Sequence, residues 1–114
     1  MTTWDVLSAA ANTVAGIACT PKYRQTTEAG HAFVQLDHIE WPNRLGGVGY
    51  WQIFVMLPAD HTDAEQFITD KAQPLYAAVR PELIVTAIRP QQTQFEPGGP
   101  ALPTLVVEGT REWE

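Results

Sequence analysis

Few side chains in this sequence can do chemistry, and their spacing decides how much. The histidines are His31, His38 and His61; Cys19 is the one cysteine and Ser8 the one serine. In "DHIE", His38 and Glu40 share a face of an extended segment, and Asp60-His61 stands ahead of a helical stretch. A metal site could be assembled only from His38, Glu40 and His61. Their spacing matches no metal-binding pattern, so no metal and no cofactor is expected. Asp37 with Glu40, and Asp60 with Asp63, are carboxylate pairs in form. The second pair is better explained by the positive end of a helix. Ser8 lies in an alanine-rich helix, which leaves a Ser-His-Asp arrangement without a nucleophile. Cys19 reads as a small buried hydrophobe. "GGVG" at 46–49 leads into a strand, whereas phosphate-cradling loops lead into a helix. No catalytic residue is assigned, and the chain is not expected to be an enzyme.

The elements that position these residues follow from periodicity. Residues 3–15 predict a helix, with Thr2 or Thr3 as its cap and Asp5 in its first turn. Trp4, Leu7, Ala11 and Val14 recur at helical spacing. Residues 17–30 are irregular, with a turn or a short strand. The runs 31–41 and 49–57 predict a hairpin around the turn "PNRLGGVG". A second helix spans about 62–80, capped by Asp60 or Thr62, with Pro74 expected to kink or split it. Residues 82–90 and 104–113 predict the last strands. The Pro/Gly-rich connection between them could extend the pair into a long hairpin. The order α-β-β-α-β-β predicts an α+β fold: a mainly antiparallel four-stranded sheet, helices packed on one face, one domain over residues 1–114.

Composition narrows the function. The chain has 114 residues, 45% hydrophobic and 18% charged, which is ordinary for a globular protein. Seven basic against 13 acidic residues give a net charge of −6. That excess repels nucleic-acid phosphates and anionic membranes. With one cysteine no internal disulfide can form. The opening residues, with Asp5 early and no leading positive charge, read as a helix and not as a signal peptide.

One stretch breaks the pattern of a half-covered sheet. "YWQIFVML" at 50–57 is apolar on both faces, although helices on one side should leave the other side polar. Three coverings are open for its outer face: the chain's own 17–30 segment, another copy of the chain, or a ligand in a buried pocket. Large aromatics at strand ends favour the second, since such residues anchor protein interfaces. The candidate subunit interface is Trp41, Tyr50, Trp51, Ile53 and Trp113.

The layout resembles a known family. A short N-terminal helix and a strand precede "GGVGYWQIFVMLP". Then come an acid-rich helix start, "DHTDAEQFITDKAQPLYAAV", the strand "LIVTAIRP", a Pro/Gly loop and a closing "LPTLVVEGTREWE". Over nearly the whole chain this is similar to the tail-terminator proteins of long-tailed bacteriophages (siphoviruses), also described as minor tail or tail-completion proteins, and nearest to versions from phages of actinobacteria. The resemblance implies a structural virion protein, assembled in the host cytoplasm and placed at the tail–neck junction. It implies a homohexameric ring on the head-proximal end of the tail tube that ends tube polymerisation. Its partners would be itself, the major tail-tube protein and the head–tail connector. DNA would pass through the lumen without specific binding, and no membrane is involved. The loops at 20–30 and 91–101 then become candidate contacts to tube or connector, through Lys22, Arg24, Gln92, Gln94 and Phe95. The alternatives are a head-closure or other neck protein and, from another class, a small cytosolic α+β ligand-binding module or enzyme.

Overall fold

A computed structural model describes residues 1–113. Its elements are α1 (Thr3–Ala11), β1 (Ala18–Thr20), β2 (His31–Glu40), β3 (Gly47–Met56), α2 (His61–Val79), β4 (Ile84–Gln94) and β5 (Ala101–Trp113). Thr2 caps α1 in a reciprocal box with Asp5, and this hydrogen bonding to Thr2 lowers the Asp5 pKa. The helix stops at Ala11, short of the expected residue 15, because the Asn12 side chain turns to the next strand. Its amide donates to the Cys19 carbonyl at 2.8 Å, and its oxygen accepts from the Cys19 N–H at 2.6 Å. Asp60 caps α2, accepting from the Asp63 N–H. Pro74 is carried within one helix and sits on its exposed side, where the carbonyl it leaves unbonded can meet water.

The sheet has five strands in the order β1-β2-β3-β5-β4, and the β1–β2 pair is parallel. This corrects the expected four-stranded antiparallel sheet. The added strand has only three residues, too few for alternation to register. It lies in the 17–30 segment, read as irregular with a turn or a short strand and not counted in the sheet. Its parallel pairing comes from residues 21–30, which cross back over the sheet before β2 begins. Gly30 makes the return possible. It has φ +89°, and a Cβ there would stand 2.3 Å from the Gly16 carbonyl oxygen. The last hairpin is longer than the expected strands 82–90 and 104–113, so Gln92 and Gln94 are strand residues.

Both helices lie on one face of the sheet. Leu7, Ala11, Leu75 and Val79 pack there against Trp51, Ile53, Val55 and Val107. Trp51 is 1% exposed, with the Trp4 ring edge-on at 4.8 Å. The other face carries a second, smaller cluster of Phe33, Phe54, Met56 and Val106. The chain covers this cluster with its own residues. Phe95, at the hairpin tip, lies 5.1 Å from Phe33 and 5.3 Å from Phe54. Tyr23, from the crossing segment, stands edge-on to Phe33 at 5.0 Å. The Tyr23 hydroxyl donates to Glu96, which ties the two covers together.

Two measurements check this arrangement. Trp51→Ala is expected to lower stability by about 3–5 kcal/mol in denaturant unfolding, the cost of emptying a packed indole site. Phe95→Ala is expected to leave a folded chain that binds the dye ANS more strongly, because Phe33 and Phe54 lose their lid.

Candidate functional site

Where the chain stops covering itself defines the surface left for function. Beyond the aromatic cluster, the helix-free face turns polar. In register across it lie Gln35, Gln52 and Glu108, then His38, Tyr50, Thr110 and Ile84, then Glu40, Val48 and Glu112. Asp37 bulges out of β2 between Leu36 and His38. Four carboxylates, Asp37, Glu40, Glu108 and Glu112, thus face one side with one guanidinium, Arg89, which pairs with Glu108. A shallow depression of about 240 Å³ lies over Gln52 and Glu108, rimmed by Asp37, Tyr50, Thr86 and Arg89.

His38 is the most constrained ionisable side chain on this face. One ring nitrogen meets Asp37 at 2.6 Å and the other meets Glu40 at 2.8 Å. The ring stacks on Tyr50 with centroids 4.3 Å apart and planes 9° apart. A carboxylate can only accept, so both contacts are satisfied together only by the doubly protonated imidazolium. The hydrogen bond to Glu40, then that to Asp37, raises the His38 pKa above its ordinary value of 6.5.

Nothing among the described residues forms a catalytic constellation. His31 pairs with Glu28 and His61 with Glu65, each near the surface and apart from His38. No group of three or more potential metal ligands converges among the described residues. Ser8 is buried and donates to the Cys19 carbonyl. The Cys19 thiol is buried, and its pKa is pushed up to about 11 by that burial, so it is a poor nucleophile at neutral pH. A groove of about 370 Å³ runs between the start of α2 and β4. It is lined by Leu57, Ala64, Ile68, Pro90 and Pro103, with His61 and Glu65 at its mouth. Among the described residues no helix is long and apolar enough to cross a membrane.

The interface candidates divide. Trp51 and Ile53 are buried by the chain's own helices, which removes the need for a neighbour over them. Tyr50 and Trp113 are half-buried, and Trp41 is 62% exposed, its indole lying on Gly47. Of the candidate loop contacts, Lys22 and Arg24 are exposed, Gln92 and Gln94 are exposed on β4, and Phe95 is half-buried as the aromatic lid. Sequence reasoning paired Asp37 with Glu40 and placed Glu108 with Glu112 on one strand face, but it did not bring the two pairs and Arg89 together. Their common face appears only once the strand register is known.

The sheet also ends in two incomplete edges. β1 pairs with β2 only at residues 31–33, and the outer side of Cys19 is occupied by Asn12. Among the described residues no strand lies beside the outer edge of β2 from Val34 to Glu40, nor beside the outer edge of β4, whose other edge pairs with β5. Compared with protein-family models, with curated proteins and with solved structures, the chain matches none.

The His38 clamp predicts a pH dependence. A raised folded-state pKa stabilises the fold fully below the unfolded value, about 6.5. That contribution is lost as the pH rises through the folded value. The stability difference between the wild type and His38→Ala should therefore be largest below the unfolded value and shrink as the pH rises through the raised folded value, leaving only the stacking on Tyr50. In an NMR titration, Glu40→Gln should bring the His38 midpoint down.

Proposed function

We propose that this chain is a non-enzymatic virion protein, a tail terminator. It would act by closing into a ring at the head-proximal end of a phage tail tube and stopping further tube growth. The observation that carries the reading is the one-sided distribution of charge. The uncovered half of the helix-free face holds the carboxylates Asp37, Glu40, Glu108 and Glu112 against Arg89 and the clamped His38 imidazolium, which leaves an excess of negative charge. A ring with this face inward has an acidic lumen, through which DNA slides without sticking because phosphates are repelled. The chain's net charge of −6 acts in the same direction.

The layout that resembles tail terminators supports the same reading. The mechanism is then one of surfaces. One rim of the ring matches the end of the tail-tube protein, the other meets the head–tail connector, and no rim recruits another tube ring. The exposed ends of the molecule suit such contacts. The β2–β3 tip presents Trp41 and the 95%-exposed Leu45, and the crossing segment presents Lys22 and Arg24.

Light scattering together with negative-stain images tests the proposal. A closed ring of about six copies with a central opening is expected, as unlike contacts that close produce rings. The ring should fail to retain double-stranded DNA at physiological salt. Tight DNA retention, or a monomer that copurifies with a small molecule in the α2–β4 groove, would overturn it.

A further inference from the structure

We infer that Asp37, His38 and Glu40 form a proton-operated latch on the β2 bulge. It fastens the tip end of β2 when His38 is doubly protonated and releases it when the ring is neutral. The latch and the bulge depend on each other. Leu36 stands opposite Trp51 and packs on the helix side of the sheet. In an unbroken strand His38, two residues on, would face the same side. The register shift between Leu36 and His38 inserts Asp37 without a partner on β3 and sets His38 opposite Tyr50, on the helix-free face. There the ring stacks on Tyr50 and reaches a carboxylate on either side, Asp37 through Nδ1 at 2.6 Å and Glu40 through Nε2 at 2.8 Å.

Little else fastens this stretch. Among the described residues no strand lies outside it, and the chain runs on from Glu40 into the exposed residues 41–46. On β3, Ile39 stands opposite Gly49, which has no side chain, and Glu40 opposite Val48. Segments with few buried contacts open locally at small cost. Three surface side chains are then enough to decide whether this one stays ordered.

The proton decides because the ring has two acceptors to satisfy. An imidazolium donates from both nitrogens; a neutral imidazole donates from one and presents a lone pair at the other. One carboxylate must then turn away, and the clamp is left with one arm. The surroundings favour the cation. Facing His38 are Asp37 and Glu40 on β2, the phenol of Tyr50 on β3, and Glu108 and Glu112 on β5, one row to either side. β4 brings Arg89, which pairs with Glu108. The hydrogen bond to Glu40 and then that to Asp37 raise the His38 pKa, so the latch is closed below the ordinary value of 6.5 and opens as the pH rises through the raised one. Opening also removes one of the face's two positive charges, His38 and Arg89, and leaves that face more acidic.

NMR on the full chain tests the latch. The His38 ring should titrate with a midpoint above 6.5, with both nitrogens protonated below it. Backbone order at residues 37–40, read by amide-nitrogen relaxation, should fall with that same midpoint, while the buried Val55 and Val107 stay unchanged. His38→Phe keeps a ring for Tyr50 but carries no proton, so residues 37–40 should be loose at every pH from about 5 to about 9. Asp37→Asn and Glu40→Gln should each move the His38 midpoint down. Circular dichroism verifies the fold of each variant; if His38→Phe does not fold, the wild-type titration and the two carboxylate variants decide. A midpoint at or below 6.5, or a raised midpoint with residues 37–40 equally ordered on both sides of it, would overturn the latch. So would a His38→Phe segment as ordered as the wild type in acid. These readouts need no ring, so failure of the latch leaves the terminator reading standing, and failure of that reading leaves the latch.

Discussion

The structure depends on burying β3 on both faces within one short chain. Trp51, Ile53 and Val55 on one face and Phe54 and Met56 on the other are almost wholly removed from water. Each such side chain contributes roughly 1.5–3 kcal/mol when fully buried, so neither face can be left open without a large cost. The helices supply the first cover. The second cover uses no secondary element of its own, only the Phe95 tip and the Tyr23 crossing.

That economy shapes everything else. Because the cover over the second face is small, it reaches only the aromatic end of the sheet. The rest of the face has to meet water, and its residues are mostly polar, with Asp37, Glu40, Glu108 and Glu112 among them. Because β1 is three residues long, it protects only the start of β2. The same shortage that leaves half a face bare also leaves two strand edges unpaired. Interaction surface here is what remains after the core is closed.

The constraint also redirects the case for self-association. Apolar surface in excess of the available cover would demand a partner by itself, but Trp51 and Ile53 are already enclosed. The case for a ring rests on the acidic face and on the layout that resembles tail terminators. An acidic face acts through charge, and it leaves the core of the single chain closed.

Much of the fold was legible along the chain. The helices around Leu7 and Leu75, the β2–β3 hairpin and the central position of "YWQIFVML" follow from residue type and period, which are local properties. Tyr23 was in reach too, since the 17–30 segment was one of the coverings considered. What the sequence could not determine is non-local. Three residues at Ala18–Thr20 carry no period, and their parallel partner is chosen by Gly30, Gly16 and Asn12 acting together across a crossing. Phe95 sits in a polar, Pro/Gly-rich stretch and becomes a lid only because a long hairpin brings it back over Phe33. The acidic face needs register, and a bulge at Asp37 shifts it. Chain order alone decided which segments pack and which turn; only the tertiary structure decided what is left uncovered, because exposure is set by contacts between residues far apart in sequence.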